Sequence, residues 1–543
     1  MEMEEKMEVN YGILSLLPAV IVIILALKTK KTVFPLLIGA YVGVVILSQW
    51  NILIAVPTLV TSYIVPKLTS AWNIKTLLIC SAAGGYIRML RITGAGEAFA
   101  NAATKSIKTK KGAQLATCGA ALGFIYTEPN FVLGVVMRPI TEKLKVSRVK
   151  LAYLTDSLGC NIAAMSPICS YGPYIVGLIA AQLVSIGMQN VDPWTVYIKY
   201  IPNNFYGILA VLMVLYVVIS SKDIGSMYAA EKRADQTGRL IGPDDQPIVA
   251  ESKSDEFKDF DKISLATFVL PFSVLFITLF SVIFYTGEIA VNGFFQSFLH
   301  ADISLGIICA MSLGAFTSIV VGVKQKLFSL TNGFDQWVNG IVAIMQVNMV
   351  IIFAWALGGI IQDLGVKAFI SGTVASIGLA PQLLPALIFI AGAVLSFATG
   401  SSWGTFALLM PIAVPVCHEF GIPIEIAIAA SVGGGLFGDH CSPISDNTIK
   451  ASLASGSDHL EHVKTQIPYA LVLGSASVIG FTISAYTFSV LLGLAVASIY
   501  CFIAVNVLNK RARAKYDEID YKLEKANKYY EEYDESYEEP QVI

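Results

Sequence analysis

Long apolar stretches dominate this chain and limit what it can fold into. They cover residues 14–27, 33–47, 263–284, 341–361 and 468–507. An apolar helix of about 20 residues spans the hydrocarbon core of a bilayer. Only 14% of the 543 residues are charged, whereas about 25% is usual for a soluble domain. The sequence therefore predicts an all-α polytopic membrane protein embedded in the lipid bilayer. It excludes a soluble enzyme, a secreted disulfide scaffold and a nucleic-acid binder.

Two hydrophilic segments divide the chain. One is a polar stretch in the middle, which we expect to be a mobile linker, and the other is a tail that begins basic and ends acidic. The predicted organisation is an N-terminal tail (1–10), a first transmembrane repeat (11–221), a polar linker (222–262), a second transmembrane repeat with an extra helix (263–507) and a charged tail (508–543).

The two apolar halves resemble each other in sequence. GGYI at 84–87 matches GGII at 358–361, the stretch from Phe124 to Pro139 matches the stretch from Phe397 to Pro411, and Ser-Pro-Ile at 166–168 matches 442–444. Single matches of this kind recur in many membrane helices. Three in the same order at a nearly constant offset predict a duplicated unit.

The distribution of Lys and Arg indicates how the two repeats are oriented, because basic residues favour cytoplasmic loops. The segment between the basic clusters 105–111 and 143–150 is too short to cross the membrane and return, so it predicts a re-entrant hairpin entering from the cytoplasm. Its counterpart at 383–417 has no flanking basic residue and would enter from outside. The linker and the C-terminus are then cytoplasmic, and the repeats are inverted, as in many secondary transporters.

Each repeat is expected to contain about five transmembrane helices, followed by one extra C-terminal helix. Residues 52–66, bracketed by Pro57 and Pro66, are expected to lie along the membrane surface. The predicted crossings are 11–27, 32–50, 74–91, 151–187 and 202–221 in the first repeat, 263–286, 303–322, 338–361, 424–455 and 467–483 in the second, and 486–507 at the end.

The crossing at 424–455 carries the strongest functional signal. Its glycines (433–435 and 438) and Pro443 interrupt the apolar pattern, and we expect them to break the helix. The polar run at 438–447 contains two carboxylates within the membrane region, where acids usually mark ion or proton paths. The candidate ligands are Asp439, Ser442, Ser445, Asp446, Asn447 and Thr448. The alternative is a solvated loop at the membrane edge.

Oxygen ligands of this kind suit a hard cation such as Na⁺. Asp446 and Ser445 lie in the denser oxygen cluster, so we expect them to bind Na⁺. Asp439 ends an apolar stretch, where desolvation favours the protonated carboxyl, so we expect it to exchange protons.

Three further groups of polar residues are candidates for the same function. The second hairpin tip is rich in hydroxyls, which indicates either a cation site or packing by small residues. The first repeat offers a hairpin tip with one acid, together with a polar segment aligned with 438–447. The residues are Thr399, Ser401, Ser402 and Thr405 at the second tip, Thr127, Glu128 and Asn130 at the first, and Asp156, Asn161 and Ser166 in the aligned segment.

Several other charged residues have simpler interpretations. Arg88 is expected to anchor at the interface, and Arg138 to extend to the cytoplasmic face. Glu97 and Asp363 are expected at the surface. His459 and His462, on a predicted loop, have a spacing that suits metal binding or pH sensing, but no further ligand is near them in sequence.

The segment 433–471 resembles the signature region of the NhaC-type Na⁺/H⁺ antiporter family, and 356–365 and 397–415 look like two further family segments. Members exchange Na⁺ for H⁺, and some couple these ions to organic anions or amino acids. The resemblance implies paired re-entrant hairpins, broken helices that meet near the membrane midplane, and a homodimer.

These observations together predict a secondary transporter in the cytoplasmic membrane, not an enzyme, that exchanges Na⁺ for H⁺ by alternating access without a cofactor. One alternative is a Na⁺- or H⁺-coupled transporter of a small organic anion or amino acid, of the malate/lactate type. A channel or structural membrane protein is the other.

Overall fold

The computed structural model is helical throughout the residues it describes, with no strand among them. Those residues are 11–29, 31, 33–95, 98, 107–124, 129–167, 169, 171–243, 245–247, 263–291, 293, 297, 301–376 and 378–518. The helices of the first half are α1 (Leu17–Thr29), α2 (Val33–Leu47), α3 (Ile52–Thr58), α4 (Val65–Leu68), α5 (Ala71–Ile92), α6 (Lys110–Phe124), α7 (Pro129–Lys143), α8 (Arg148–Ala164), α9 (Tyr171–Ser185), α10 (Pro193–Tyr200), α11 (Phe205–Ser220) and α12 (Gly225–Thr237).

The second half follows the same all-helical pattern. Its helices are α13 (Ala266–Thr286), α14 (Ile303–Lys324), α15 (Leu330–Ala343), α16 (Met345–Asp363), α17 (Val366–Ser376), α18 (Leu384–Thr399), α19 (Ser402–Glu419), α20 (Ile424–Cys441), α21 (Asp446–Ser455), α22 (His459–Thr487) and α23 (Val490–Tyr516).

Within the described residues, seven helical stretches are long and apolar enough to cross a membrane. They are Phe205–Thr237, Ala266–Thr286, Ile303–Lys324, Leu330–Asp363, Pro381–Thr399, His459–Thr487 and Val490–Tyr516. The predicted class, an all-α polytopic membrane protein, is confirmed. A sharp bend of 116° separates α2 from the helical segment 52–68, so that segment does not continue α2. The inverted orientation of the repeats stays a prediction.

Both predicted hairpins are present as pairs of packed helices, α6 with α7 and α18 with α19. The second hairpin turns at Gly400, whose positive φ of 67° favours glycine, and a Cβ there would lie 2.6 Å from the carbonyl oxygen of Ile444. The hairpin tip therefore packs directly against the segment that joins α20 to α21.

Two of the predicted crossings are broken helices. The crossing at 151–187 breaks between α8 and α9, and the crossing at 424–455 breaks between α20 and α21. The second break begins at Ser442, which has extended backbone angles, and ends at Ser445, the N-cap of α21. Each break frees backbone polar groups, which is tolerated at membrane depth only inside protein or along a wet cavity.

The glycines of the second repeat do not break the helix, contrary to the prediction. α20 runs without interruption through 433–438. A Cβ at Gly434 would lie 2.4 Å from the carbonyl oxygen of Phe389, and one at Gly438 would lie 2.3 Å from that of Ala393. These glycines are needed because α18 and α20 pack backbone to backbone, a use of small residues that is common in membrane proteins.

The predicted mobile linker is wrong for residues 225–237, which form α12. This helix packs against α8, α22 and α23. The Tyr228 hydroxyl donates to Asp517 Oδ1 at 2.6 Å, and Lys232 Nζ donates to the Tyr516 carbonyl oxygen at 2.8 Å. The basic start of the C-terminal tail belongs to α23, which continues to Tyr516. Residues 248–262 and 519–543 lie outside the described part of the chain.

Candidate ion-binding site

Two buried carboxylates, one from each half of the chain, lie beside the second helix break. Asp156 is on α8 and Asp439 is on α20, and each side chain is 2% exposed. Helix α21, which follows the break, packs against α8, so the second half supplies contacts to an acid of the first.

Among the described residues, neutral side chains on three other helices donate hydrogen bonds to Asp156. Its Oδ1 accepts from Asn130 Nδ2 of α7 at 3.0 Å. Its Oδ2 accepts from the Thr448 hydroxyl of α21 at 3.0 Å and from Gln466 Nε2 of α22 at 2.7 Å. The carboxylate is thus held where the first hairpin meets the broken helix of the second half.

Asp439 is held by the turn that follows it. Its Oδ1 accepts from the Ser445 hydroxyl and its Oδ2 from Asn447 Nδ2, both at 2.7 Å. Ser445 is also the N-cap of α21 and accepts from the Thr448 amide at 3.3 Å. The capping serine and Thr448 therefore link the two carboxylates.

Two buried side-chain oxygens of the first half, Asn130 Oδ1 and Asn161 Oδ1, have no donor among the described residues. Of these two residues, Asn130 is the one that contacts Asp156. The Asn130 Oδ1 lies so close to α8 that a Cβ at Gly159 would be 1.7 Å from it. Orphaned acceptors beside carboxylates are unusual in a buried site, and a cation bound by oxygen ligands would satisfy them.

His440, the residue after Asp439, ties the site to the rest of the fold. Its Nε2 lies 2.8 Å from the Ser157 hydroxyl, and its Nδ1 lies 2.7 Å from the Tyr206 hydroxyl of α11. Its carbonyl oxygen accepts from Gln466 Nε2 at 2.6 Å. The same glutamine amide thus binds both the carboxylate of Asp156 and the backbone beside Asp439.

Several predicted residues lie apart from this cluster. The Ser442 hydroxyl donates to the Phe397 carbonyl oxygen at 2.7 Å, which ties the break to the second hairpin. The Ser402 hydroxyl lies 3.2 Å from that of Tyr171. Asn161 donates to the Ser157 carbonyl oxygen of its own helix, and Ser166 lies in the first helix break.

The other hydroxyls of the second hairpin tip line a different space. Thr399, Ser401 and Thr405 surround a cavity of about 40 Å³ that also contacts Lys31. The Thr399 and Thr405 hydroxyls donate to backbone carbonyl oxygens within the hairpin. No hydrogen bond among the described residues joins these two hydroxyls to Asp156 or Asp439.

Asp446 occupies the first position of α21, and its side chain lies outside the described part, as do Glu97, Thr127 and Glu128. The neighbours that were expected to surround Asp446 bond elsewhere: Ser445 and Asn447 to Asp439, and Thr448 to Asp156. A Na⁺ site at Asp446 and Ser445 stays a prediction.

Sequence reasoning missed four residues of the site. Gln466, His440, Ser157 and Tyr206 are all fully or nearly fully buried. A search for polar residues within the apolar helices would have found Gln466 and His440, but no local signal pairs them with Asp156. The placement of His462 on a loop is wrong, because it is buried in the first turn of α22. Asp363 is exposed, as expected.

Three arginines, including Arg88 and Arg138, form side-chain contacts that connect different parts of the fold. Arg88 donates to the side-chain oxygen of Gln336 on α15 at 2.6 Å. Arg138 and Arg148 both bond to Glu142 at 2.8 Å, and Arg148 donates to the Gly456 carbonyl oxygen at 3.2 Å. The first hairpin is thereby fixed to the loop between α21 and α22.

Residues 162–486, which contain the break, Asp439 and Gln466, match the model of the Na⁺/H⁺ antiporter family. The chain belongs to this family. An uncharacterized protein of Haemophilus influenzae is 31% identical over 521 residues, which cover 93% of this chain and 97% of that relative. The malate-2H⁺/Na⁺-lactate antiporter of Bacillus subtilis is 26% identical over 217 residues, or 39% of this chain and 44% of the relative.

A solved structure shares the fold of this antiporter-family chain. The YdaH transporter of Alcanivorax borkumensis superposes with a TM-score of 0.55 at 12% identity, covering 78% of this chain and 87% of that one. The family identifies this chain as a multi-pass membrane transporter.

Proposed function

We propose that this protein exchanges Na⁺ for H⁺ across the cytoplasmic membrane and that Asp156 and Asp439 bind both ions. One observation supports this proposal above all: hydrogen bonds of Thr448 and Ser445 connect the two buried carboxylates. Burial of an ionised carboxylate is costly unless a counter-charge is present. The named donors to both carboxylates are neutral, and we propose that a bound proton or Na⁺ supplies positive charge at this pair.

Competition for the same oxygen atoms explains exchange. Na⁺ takes oxygen ligands, and the candidates are the carboxylates, the Thr448 and Ser445 hydroxyls and the orphaned Asn130 oxygen. A proton on either carboxylate removes a negative charge and weakens the cation's hold. Na⁺ binding and protonation then exclude each other, which couples the two fluxes without a cofactor.

The position of the site supports alternating access. The carboxylates lie beside a broken helix, and a hairpin tip packs on that break through Gly400. Movement of the hairpins relative to the broken helices would expose the same carboxylates to one side and then to the other, as in transporters built from inverted repeats. We also propose the inverted orientation, a cytoplasmic C-terminus and a homodimer.

A second candidate function is exchange of a small organic anion or amino acid coupled to Na⁺ or H⁺. The observation that favours it is the cavity at the second hairpin tip, where Lys31 adjoins three hydroxyl side chains. A lysine and hydroxyls suit a carboxylate group. The malate–lactate relative supports the same alternative.

Purified protein in proteoliposomes distinguishes the two functions. With an imposed pH difference, Na⁺ alone should move protons through the wild type, whereas an Asp156→Asn/Asp439→Asn double variant should not respond. If Na⁺ alone has no effect and malate, lactate or an amino acid restores proton movement, the second function is correct. Choline chloride in place of Na⁺ controls for ionic strength.

A further inference from the structure

A continuous chain of hydrogen-bonded side chains runs from Asp156 to a partly exposed histidine. Gln466 donates to Asp156 at 2.7 Å, and its Oε1 lies 2.9 Å from His462 Nε2. His462 Nδ1 lies 2.8 Å from the Ser452 hydroxyl, and His459 Nδ1 lies 3.0 Å from the same hydroxyl. His459 Nε2 lies 2.7 Å from the carbonyl oxygen of Pro443, which is exposed.

The hydrogen positions in the inner part of this chain are fixed by counting donors. Both amide hydrogens of Gln466 are in use, because Nε2 donates to Asp156 and to the His440 carbonyl oxygen. Its Oε1 can only accept, so His462 Nε2 must carry a hydrogen. The Nδ1 of a neutral His462 is then an acceptor and requires the hydrogen of the Ser452 hydroxyl.

The outer part makes a conflicting demand on the same hydroxyl. A carbonyl oxygen only accepts, so His459 Nε2 must carry a hydrogen to bond to Pro443. The Nδ1 of a neutral His459 is therefore also an acceptor and also requires the Ser452 hydrogen. A third acceptor, the Thr448 carbonyl oxygen, lies 2.9 Å away. One hydroxyl hydrogen cannot serve two imidazoles, so with both rings neutral one of these two contacts is left unsatisfied.

One additional proton resolves the conflict. If His459 is charged, its Nδ1 donates to Ser452, so the Ser452 hydrogen is no longer required by His459 and can be donated to His462. We propose that His459, Ser452 and His462 form a proton-binding site, distinct from the carboxylate pair, which takes one proton on His459 and thereby completes a single oriented chain through Gln466 to Asp156.

His459 is the ring that can hold the charge. It is partly exposed, whereas His462 and Ser452 are fully buried, and a buried unpaired cation is costly. Its position in the first turn of α22 disfavours a cation. Two carboxylates, those of Asp458 and Glu461, lie at the same end of the helix, and their negative charge favours a cation there. Asp458 is the N-cap and accepts from the Glu461 amide at 2.8 Å.

Other charged groups approach the same corner from several elements. Gln246 lies in the segment after α12, and its backbone amide donates to Asp458 Oδ2 at 3.0 Å. In the same segment, burial raises the pKa of Asp245. Arg138 and Arg148 meet the loop at Gly456, and Lys464 pairs with Glu461 at 2.9 Å. The charged and titratable groups on the elements of this corner are Asp458 at the N-cap of α22, Glu461, His462 and Lys464 on α22, Lys450 on α21, Arg138 on α7, Arg148 on α8, and Asp245.

The consequence for transport rests on the proposed function. A complete chain holds the Gln466 amide on Asp156, and a hydrogen bond to an ionised carboxylate favours that form. Proton loss from His459 weakens the hydrogen bond from Gln466 to Asp156. The site therefore makes the Na⁺ affinity of Asp156 depend on whether His459 carries the additional proton.

Two substitutions outside the ion-binding cluster act in opposite ways on this chain. His459→Ala removes the imidazole that competes with His462 for the Ser452 hydrogen, so this hydrogen can be donated to His462 at every pH. Ser452→Ala breaks the chain at every pH. His418→Ala is the matched control, because His418 is exposed at the end of α19 and is far from these residues in sequence.

Nitrogen NMR of the full-length protein, labelled at histidine and purified in detergent, tests the proton site without requiring transport. We expect His459 to become doubly protonated as the pH falls, while His462 keeps its hydrogen on Nε2. Ser452→Ala should lower the pH at which His459 takes up its proton, and His418→Ala should leave it unchanged. An unaltered His459 titration in Ser452→Ala, or a His462 hydrogen on Nδ1, would overturn the proposal.

Transport assays then test its consequence. In proteoliposomes, both His459→Ala and Ser452→Ala should keep only the pH dependence of the Na⁺ affinity that competition at Asp156 and Asp439 produces, with the higher affinity in His459→Ala. A wild-type pH profile in both variants contradicts the link to Asp156. NMR that agrees, combined with no Na⁺-dependent flux in the wild type, refutes the proposed function while the proton site stands.

Discussion

The two acids of the candidate site are held by different kinds of partner. Asp156 is bound by Asn130, Thr448 and Gln466, which come from both halves of the chain. Asp439 is bound within its own turn by Ser445 and Asn447. The Asp156 carboxylate therefore responds to movements between helices, whereas Asp439 moves with the turn that holds it.

Thr448→Val tests the bridge between the two acids. The substitution keeps the shape but removes the hydroxyl, leaving Asp156 Oδ2 with Gln466 among its named donors. Since a hydrogen bond to a charged group contributes about 1.5–3 kcal/mol, we expect Na⁺ affinity to fall roughly tenfold or more. The measurement is the Na⁺ concentration that gives half-maximal proton flux. Thr482→Val is the control, because that hydroxyl donates only within α22, to the Val478 carbonyl oxygen. Equal affinities in the two variants would contradict the bridge.

Gly159→Ala tests the position of Asn130. The new methyl group would lie 1.7 Å from Asn130 Oδ1, so the amide must move away from Asp156. We expect roughly tenfold lower Na⁺ affinity, through loss of one bond to a charged group, with normal insertion into the membrane. Gly119→Ala on α6 is the matched control, since no described atom lies within 4 Å of its added Cβ. If both variants behave like the wild type, Asn130 does not position Asp156.

At the scale of helices, buried polar contacts fasten the peripheral elements to the core. Lys150 of α8 is fully buried and pairs with Asp223, which precedes α12. Asp223 also accepts from the Tyr469 hydroxyl at 3.0 Å, and its carbonyl oxygen accepts from Asn509 of α23 at 2.6 Å. Asp223 thus joins three helices, α8, α22 and α23, to the segment that precedes α12.

Lys150→Met should destabilise the protein strongly. Asp223 would remain buried with its charge unpaired, which costs about 3–5 kcal/mol when one partner of a buried pair is removed. The double variant Lys150→Met/Asp223→Asn should recover much of that loss. Lys464→Met provides the comparison, because its pair with Glu461 is exposed and contributes about 0–1 kcal/mol. Thermal unfolding in detergent measures all three, and equal melting temperatures for Lys150→Met and Lys464→Met would refute the argument.

At the scale of the whole molecule, the sequence predicted the class of fold, the positions of both hairpins and a break in the crossing at 424–455. Apolar stretches and clusters of polar residues are local signals, so these features could be read directly. Packing partners are not local. The glycines of 433–438 predict a helix break on sequence alone, because nothing in the sequence shows that α18 lies against them. For the same reason the polar sequence of α12 predicts a mobile segment.

The site shows the same limit. Asp439, Ser445, Asn447 and Thr448 were predicted from one short polar run. The pairing of Thr448 with Asp156 depends on the packing of α21 on α8, which the sequence does not reveal. Density of oxygen atoms along the chain favoured Asp446 over Asp156, but Ser445 caps a helix there and turns its hydroxyl towards Asp439.

The inverted orientation of the two hairpins makes a prediction for the whole molecule. Single cysteines at Lys108 and Lys145, which flank the first hairpin, should react only from the cytoplasmic side. Cysteines at Gln382 and Glu419, which flank the second, should react only from outside. Labelling of intact cells and of inverted vesicles with an impermeant reagent measures this. Reaction of both hairpins from the same side would refute the inverted repeat.

Proton release on addition of Na⁺ to the purified protein, in weakly buffered detergent solution, tests the central claim most directly. If Na⁺ and H⁺ compete for Asp156 and Asp439, the wild type should release protons saturably with Na⁺ and not with choline. The Asp156→Asn/Asp439→Asn double variant should release none, and Asp446→Asn compares the residue favoured by sequence alone. Undiminished release from the double variant, or no release from the wild type, would contradict the account.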